Sequence, residues 1–498
     1  MALEVSVDTR HRLGAIDGKL FGHFIEHFHR QIYGGVFEPG SPLSDSLGLR
    51  NDVAEAMQGL GAPVVRWPGG CFVSAYHWKD GIGPAREPSF DKAWRVEEPN
   101  SFGTDEFIAW CRKIGTEPYV CTNAGTGTPE EMSDWVEYCN LRSEGRWAKL
   151  RQSHGHAEPY KVKYWSIGNE NYLGGEMGSK TPQEWCRFVK ESAKMMKRVD
   201  PTIELFAAST PDLEWMRLLL QEAGEVLDWI SIHGYWDPLW INNNLAPYEI
   251  CMAYTTRIET PIEQIRAILT ATGQLGKIRV AFDEWNLRGW HHPYVDTAAD
   301  AADCIRPRDE NDRNSSYTMA DAVFSACFLN ACVRHSDLIG MANFAPSVNA
   351  RGLIYAHPEG IVKRSTYFVF QALAEALKGM SVGVSVHGDA GFSVGDSIVP
   401  CLDAAAALET DGSWAVSLVN RHPEQAQAIN LRLDAGATGK ATWCRVNGPS
   451  KDSYNDVGRS EVGLERGSFE PASFLASASK SIPLSLPPHS VTVVRGSL

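Results

Sequence analysis

The chain has 498 residues, of which 43% are hydrophobic and 10% aromatic, a composition sufficient for the cores of a large domain and a smaller one. The net charge of −14 at pH 7 argues against a nucleic acid or an anionic membrane as partner, because both attract basic surfaces. The opening residues lack the basic start and apolar core of a signal peptide, and the 11 cysteines are dispersed without paired spacing. We therefore expect free thiols, no secretory or membrane segment, and a cytoplasmic location.

Short apolar segments alternate with amphipathic ones between residues 17 and 378, which predicts parallel βα units. The pattern contains eight candidate strands, each followed by a helical segment. They are Lys19–His27, Ala62–Pro68, Glu117–Ala124, Val162–Gly168, Glu204–Ser209, Asp228–Tyr235, Ile278–Asp283 and Leu338–Ala345. Eight such units over this length predict a (β/α)8 TIM barrel of the α/β class, whose functional residues gather at the carboxyl ends of the strands.

Three repeated Thr-Pro motifs predict helix starts, at Thr128, Thr181 and Thr260. In each motif the threonine hydroxyl can accept a hydrogen bond from a first-turn amide, and proline follows where no donor is lost. A glutamate stands three residues after each threonine, where its side chain can reach back to the threonine amide.

Period-two alternation replaces the helical pattern from residue 379 to residue 498, in runs such as WAVSLVN and HSVTVVRG. This pattern predicts an antiparallel, jelly-roll-like β-sandwich domain, and we expect the N-terminal segment 1–16 to join it. Trp414 and Trp443 are candidates for carbohydrate binding there, although core packing in alternating strands is the favoured interpretation.

Two carboxylates follow apolar strands of the predicted barrel. The run KVKYWSIGNENYL stops at Asn169 and Glu170, and the run IRVAFDEWN repeats the pattern at Asp283 and Glu284. Two carboxylates on separate strand ends are what cleavage of a glycosidic bond requires, one as proton donor and the other as nucleophile or base. Other polar residues at the predicted strand ends are Glu26, Arg66, Asn123, Ser209, His233, Tyr235 and Asn343.

Several motifs occur in an order and spacing that resemble the glycoside hydrolase family 51 α-L-arabinofuranosidases. They are FGHFIEHFHRQIYGGVFEPGSPLSD, VVRWPGG, YWSIGNEN, SIHGYW and AFDEWN, and the resemblance covers nearly the whole chain. It implies a retaining, exo-acting hydrolase that removes arabinofuranosyl residues from arabinan or arabinoxylan oligosaccharides by double displacement. It also implies an oligosaccharide or polysaccharide partner, no cofactor, no metal, and a homo-oligomer, often a hexamer.

The resemblance assigns roles to individual residues of this sequence. Glu170 matches the general acid/base, which protonates the leaving oxygen, and Glu284 matches the nucleophile. The supporting matches are Glu26 for sugar hydroxyls, Arg66 for keeping the nucleophile ionised, Asn169 for the 2-hydroxyl, His233 for the acid/base and Tyr235 for a hydrogen bond to the nucleophile. Cys71 and Trp285 are further candidates for contact with the sugar. For Arg66 and His233 a purely structural pairing is the alternative, because burial alone requires such partners.

Two positions depart from the family pattern. Many members have an asparagine where this chain has Cys71, and a glutamine where it has Pro346 after the eighth strand. A thiol is a weak hydrogen-bond donor, and proline has no side-chain group that can form a hydrogen bond. The sequence therefore predicts the hydrolytic residues more firmly than the residues that recognise the sugar. The family also contains endo-β-1,4-glucanases, so a β-glucan or xylan substrate stays open. The candidates for stacking on sugar rings, or alternatively for loop packing, are Trp236, Trp240, Trp285 and Trp290.

A competing interpretation rests on His23, Glu26 and His27, which fit the HxxEH pattern of inverted zinc peptidases. Zinc binding by this pattern requires a helix, on which both histidines share one face. Gly18 and Gly22 favour a strand and a loop instead. A second competing interpretation is a catalytically silent barrel that binds sugars, which the presence of both carboxylates disfavours.

Overall fold

The computed structural model describes residues 2–242, 244–291, 306–435, 438–469 and 481–498. Its central feature is a closed barrel of parallel strands, which confirms the predicted (β/α)8 fold. Numbered in chain order, the barrel strands are β2 (Gly22–Phe24), β3 (Val64–Trp67), β6 (Glu117–Thr122), β7 (Tyr164–Ile167), β8 (Glu204–Ala208), β9 (Trp229–Asp237), β10 (Arg279–Arg288) and β11 (Ile339–Phe344). The barrel closes where β11 pairs with β2, so successive strands along the chain are neighbours in space.

The first barrel strand is shorter than predicted. Only Gly22–Phe24 forms a strand, and a turn of 3-10 helix at Gly18–Phe21 precedes it. Asp17 causes this start, because its side chain accepts a hydrogen bond from the Lys19 amide at 3.1 Å and folds the chain into the turn.

The helices follow the strands on the outside of the barrel. They are α1 (Asn51–Leu60), α2 (Thr104–Ile114), α3 (Pro129–Asn140), α4 (Gly145–Ser153), α5 (Pro182–Val199), α6 (Leu213–Ala223), α7 (Leu239–Asn242), α8 (Tyr248–Thr255), α9 (Glu259–Ala271), α10 (Met319–Arg334) and α11 (Ser365–Ala376). In the part of the chain that the structure describes, none of them is long and apolar enough to cross a membrane.

Two of the three predicted helix starts are confirmed. Thr128 caps α3 by accepting from the Glu131 amide, and Thr181 forms a full capping box at α5. The prediction for Thr260 is wrong, since α9 begins at Glu259, two residues earlier than predicted, and Ile258 occupies the capping position. Proline is tolerated in this first turn because the first amides of a helix have no partner within it.

The second layer of the molecule is a nine-stranded, mostly antiparallel sheet. Its members are β1 (Leu3–Ala15), β14 (Met380–His387), β17 (Leu402–Leu408), β18 (Ser413–Asn420), β19 (Gln427–Leu433), β20 (Thr438–Asn447), β21 (Gly463–Ser468), β22 (Ser481–Leu486) and β23 (Ser490–Ser497). Strand β1 lies between β14 and β19, antiparallel to the first and parallel to the second. Trp414 is buried in the core of this sheet, so it is a core aromatic rather than an exposed platform for carbohydrate.

Three short hairpins account for the other strands of the described residues. They are β4 (Ser89–Asp91) with β5 (Val96–Glu98), β12 (Ile354–His357) with β13 (Gly360–Lys363), and β15 (Phe392–Val394) with β16 (Ser397–Val399). The first hairpin follows β3 and carries Trp94 in its turn, close to the carboxyl ends of the barrel strands.

Candidate active site

The predicted polar residues meet at the carboxyl ends of the barrel strands. Arg66 lies on β3, His233 and Tyr235 on β9, and Glu284 on β10, where it is directly opposite His233 in the strand register. Glu170 follows β7 after a sharp turn. The side chains of Arg66, His233, Glu170 and Glu284 are almost fully withdrawn from solvent, and Tyr235 is partly buried.

The turn after β7 has an unusual backbone. Gly168 has a φ of 71°, and a Cβ atom there would lie 2.1 Å from the Asn171 side-chain oxygen, so only glycine fits. Glu170 also has a positive φ, of 47°, which is costly for a residue with a Cβ atom. Backbone strain of this kind is found at functional sites, where the surrounding structure holds a side chain in place.

Glu284 has a hydrogen-bond donor on each carboxylate oxygen. Arg66 donates from Nη1 to Oε2 at 2.7 Å, and the Tyr235 hydroxyl donates to Oε1 at 2.6 Å. Burial alone would raise the pKa of Glu284, but the charges of His233 and Arg66 and the hydrogen bond from Tyr235 hold that pKa below its ordinary value. The carboxylate is therefore ionised at neutral pH and fixed in orientation.

Glu170 is paired with His233, whose Nδ1 lies 2.8 Å from Oε1 of the carboxyl group. One carboxylate oxygen of Glu170 and one of Glu284 lie within 4.8 Å of each other. Burial lowers the pKa of His233, but the charge of Glu284 and the hydrogen bond to Glu170 outweigh it and raise that pKa. The imidazole thus lies between the two carboxyl groups, and their negative charge favours its protonated form.

Arg66 links Glu284 to Asn169. Its Nη2 donates to the Asn169 side-chain oxygen at 2.8 Å, while the amide nitrogen of Asn169 is buried without a hydrogen-bond partner among the residues the structure describes. A buried amide hydrogen without a partner is costly, so it is suited to donate to a ligand.

Glu26 lies beside this group and is held by two donors. The Phe72 amide and the Trp94 indole both donate to Oε1, each at 3.1 Å. Burial, followed by the charge of Glu284, raises the pKa of Glu26 to about 8, so this carboxyl group keeps its proton at neutral pH. Gly69 makes this packing possible, since a Cβ atom there would lie 2.6 Å from the Glu26 side chain.

Cys71 and Glu176 form the side of the site next to Glu170. The Cys71 sulfur and one carboxylate oxygen from each of Glu170 and Glu176 lie within 4.8 Å of one another. Cys71 is partly exposed, and burial together with the charges of Glu176 and Glu170 holds its pKa well above the ordinary range, so the thiol is neutral. Glu176 and Trp94 are both absent from the residues predicted from sequence.

The prediction that Trp285 contacts the sugar is wrong. Its indole is completely buried and stacks on Phe328 at a centroid distance of 3.9 Å, on the outer side of the barrel wall. Successive residues of a strand point to opposite faces, so Glu284 facing the interior sends Trp285 outward. Trp236 likewise packs on Phe324 and Phe328 of α10.

Two other aromatics remain candidates for sugar contact. Trp240 and Trp290 are only partly buried, and each makes an edge-on contact with Tyr235, at centroid distances of 6.0 Å and 5.4 Å. Arg351 lies over the Trp290 ring, and Trp94 meets its edge. These side chains form an aromatic wall beside the nucleophile candidate.

The helix that the zinc interpretation requires is not formed. His23 lies in β2 with Nδ1 3.0 Å from the Ser347 hydroxyl, whereas His27 is bonded to Glu98 through Nδ1 and to Trp67 through Nε2. The ring nitrogens of His27 are therefore both engaged. The groups of described side chains close enough to share an ion contain neither histidine.

Comparison with known proteins places the chain in a family. Residues 56–251 match the family model of the alpha-L-arabinofuranosidase 1 domain, and residues 283–490 match that of the alpha-L-arabinofuranosidase C-terminal domain. The chain is 33% identical to alpha-L-arabinofuranosidase C of Emericella nidulans, covering 99% of this chain and 97% of the relative. It is also 33% identical to the intracellular exo-alpha-(1->5)-L-arabinofuranosidase of Halalkalibacterium halodurans, over 86% of each chain.

Solved structures agree with these matches. The alpha-L-arabinofuranosidase from Thermotoga maritima, solved as an arabinose complex, has a TM-score of 0.85 and 34% identity, with all of both chains covered. A bifunctional glucanase-xylanase, with a TM-score of 0.63 and 12% identity, shares the fold alone. The barrel and these matches define a glycoside hydrolase, not a silent sugar-binding barrel. The chain belongs to the α-L-arabinofuranosidases of glycoside hydrolase family 51.

Proposed function

We propose that the chain hydrolyses terminal α-L-arabinofuranosyl residues with retention of configuration, using Glu284 as nucleophile and Glu170 as general acid/base. The observation that carries the proposal is the short separation of the two carboxyl groups, since one oxygen of each lies within 4.8 Å of the other. Retaining enzymes hold their carboxyl groups about 5–5.5 Å apart, whereas inverting enzymes need roughly 6.5–9.5 Å to admit a water molecule.

In the first step, Glu284 attacks the anomeric carbon while Glu170 gives its proton to the leaving oxygen. The products are a glycosyl ester on Glu284 and a free alcohol. Arg66, His233 and Tyr235 support the step because they keep Glu284 ionised and aimed before the sugar arrives.

In the second step, Glu170 takes a proton from water, and the resulting hydroxide displaces Glu284 from the anomeric carbon. Esterification has by then removed the charge of Glu284, so the ionised form of Glu170 forms more readily. The proton returns to Glu170 and the second inversion restores the original configuration.

Sugar hydroxyls are recognised by groups that have hydrogen-bonding capacity to spare. The unpartnered amide of Asn169 donates to the 2-hydroxyl, and the protonated carboxyl of Glu26 both donates and accepts. The neutral thiol of Cys71 is a weak donor at the same rim, and the aromatic wall of Trp240 and Trp290 covers an apolar sugar face.

Azide rescue tests the two roles. In Glu284→Ala, azide takes the place of the nucleophile in a single displacement and yields a glycosyl azide of inverted configuration. In Glu170→Ala, azide replaces water in the second step and yields the azide of retained configuration. Glu191→Ala, at an exposed carboxylate of α5, is the matched control and needs no azide. Inverted azide from both active-site variants would contradict the assignment.

The substrate proposal is an arabinan or arabinoxylan oligosaccharide attacked at its non-reducing end. The name of the Halalkalibacterium halodurans relative, an exo-alpha-(1->5)-L-arabinofuranosidase, supports it. Initial rates on 4-nitrophenyl α-L-arabinofuranoside, arabinoxylan and soluble cellulose, with Glu284→Ala as blank, test it. Release of arabinose without shortening of the polymer supports exo action, and shortening of cellulose or the xylan backbone contradicts it.

Three further properties belong to the same proposal. We propose a catalytic barrel over residues 17–378 and a sandwich over 379–498 joined by segment 1–16, which limited proteolysis tests. We propose a homo-oligomer, a hexamer by resemblance, which light scattering tests through the mass. We propose a cytoplasmic location, supported by ten free cysteines in the described part of the chain and by the relative named intracellular, which cell fractionation tests.

A further inference from the structure

A third carboxyl group, that of Glu176, lies next to Glu170. The loop after β7 folds back through successive turns, with the Leu173 amide bonded to the Glu170 carbonyl at 2.8 Å and the Glu176 amide bonded to the Leu173 carbonyl at 3.1 Å. From the other side of the cleft, the Ser74 hydroxyl donates to Glu176 Oε1 at 2.5 Å. These turns thus place Glu176, which is six residues after Glu170 in the chain, beside Glu170 in the site.

The distances exclude independent ionisation of the two groups. Carboxylate oxygens of Glu170 and Glu176 lie within 4.8 Å of each other, and the exposed fractions of these residues are 8% and 9%. Two like charges at this distance, away from water, repel each other strongly, so loss of a proton from one group disfavours loss from the other.

The environment of Glu176 differs from that of a structural carboxylate. Buried carboxylates that stabilise a fold are paired with a cation. Among the described residues, the groups that act most strongly on Glu176 are Glu170, Ser74, Cys71 and Glu284, none of which is a cation. Burial and the charge of Glu170 raise the pKa of Glu176 to about 7, so the group titrates in the range where a hydrolase works.

We propose that Glu176 is a positioning residue for the reaction, a third carboxyl group that shares one proton with Glu170 because two buried carboxylates this close are not both ionised. The inference rests on the acid/base role proposed for Glu170. While Glu176 is ionised, Glu170 retains its proton until the leaving oxygen takes it as the glycosidic bond breaks. The same repulsion makes the ionised Glu170 a stronger base in the second step, where it recovers a proton from water.

Other charged and titratable groups also face Glu170, and they are common to the enzyme and its variants. They are Cys71 from the β3 side, Tyr172 and Glu176 from the loop after β7, His233 and Tyr235 from β9, and Glu284 from β10. A change at Glu176 alone therefore isolates its contribution.

The test is the pH dependence of kcat/KM for Glu176→Gln on an unactivated arabino-oligosaccharide. The amide keeps the shape of the side chain and the hydrogen bond from Ser74 but removes the charge. Without the repulsion from Glu176, Glu170 should lose its proton more readily, so the alkaline limb of the kcat/KM profile is expected to move to lower pH by roughly one unit. On 4-nitrophenyl α-L-arabinofuranoside, whose leaving group needs little protonation, kcat/KM should change less than twofold because it reports the first step alone. Glu191→Gln is the matched control and should leave both profiles unchanged.

Loss of activity by the same factor at every pH, with an unmoved alkaline limb, would overturn the proposal and make Glu176 a structural residue. Glu176→Asp should restore most of the limb, since it keeps the charge. If Glu176→Gln fails to fold, Ser74→Ala replaces it, because loss of the donor keeps Glu176 neutral to higher pH and shifts the limb in the same direction. Failure of the azide test at Glu170 would instead reject the acid/base role itself, so the two failures are distinguishable.

Discussion

The Tyr235 hydroxyl donates a hydrogen bond to Oε1 of Glu284 across 2.6 Å, between adjacent strands of the barrel. The opposite oxygen of the same carboxylate accepts from Arg66. A carboxylate held at both oxygens has little freedom to rotate, so its lone pairs are directed before any substrate binds. Preorganisation of this kind lowers a barrier because no reorganisation is needed during the reaction.

Tyr235→Phe is expected to reduce kcat/KM by about tenfold to a hundredfold, since a hydrogen bond to a charged group contributes roughly 1.5–3 kcal/mol. Loss of the donor also raises the pKa of Glu284, so the acid limb of the pH profile should move to higher pH. Steady-state rates across pH give both results. Tyr254→Phe, on α8, is the control, and an unmoved acid limb in Tyr235→Phe would contradict the role assigned to the hydroxyl.

Arg66→Lys tests the bridge between Glu284 and Asn169. Lysine carries the same charge but cannot reach both oxygens in the planar geometry of a guanidinium group. We expect the variant to fold, with kcat reduced by roughly a hundredfold if about 2–3 kcal/mol of paired hydrogen bonding is lost. Retention of kcat together with a raised KM would mean that Arg66 serves only binding. Arg279→Lys, on the same barrel and paired with Asp17, is the control for the exchange itself.

The barrel was predictable because its strands are short apolar runs that end at Gly, Pro or polar residues, and the two carboxylates stand at those ends. Helix caps such as Thr181 were predictable because they depend on neighbouring residues alone. Thr260 has the same local pattern but lies inside α9, since the preceding residues extend the helix. Local sequence signals therefore predict that a helix is present but do not determine the residue at which it begins.

Residues missed from the sequence depend on contacts between distant segments. Glu176 resembles a solvated loop charge until Ser74, more than a hundred positions earlier, is placed against it. Trp94 reaches Glu26 from the turn of a hairpin that has no recognisable motif. Trp285 was misassigned because proximity to Glu284 in sequence does not decide which side of the barrel wall a side chain faces.

Trp285→Leu and Trp290→Ala should separate packing from sugar contact. Trp285 fills space between Phe328 and Phe370, so its truncation leaves a cavity and is expected to cost about 2–4 kcal/mol of unfolding free energy with little change in KM. Trp290→Ala should raise KM severalfold with a smaller loss of stability, because its ring is partly exposed beside Tyr235. Urea denaturation and initial rates measure the two quantities. The reverse pattern would contradict both assignments.

Glu26 predicts a pH dependence of stability. Its pKa in the folded chain is raised to about 8, against an ordinary value of 4.5, so the folded state keeps a proton that the unfolded state has lost between these two values. The unfolded state then binds fewer protons, and stability falls as pH rises, by up to about 1.4 kcal/mol for each pH unit. Below pH 4.5 and above pH 8 this contribution is constant.

Glu26→Gln removes that titration while keeping an acceptor for the Phe72 amide and the Trp94 indole. We expect the variant to be no more stable than the natural chain at pH 5. As the pH rises toward 8, the natural chain loses stability and the variant does not, so the difference should shift in favour of the variant. Urea unfolding of both chains at a series of pH values, without substrate, gives the difference. Glu191→Gln, at an exposed site, controls for the loss of one carboxylate. A difference that does not change with pH would mean that Glu26 is ionised in the folded enzyme, held in that state by Arg66.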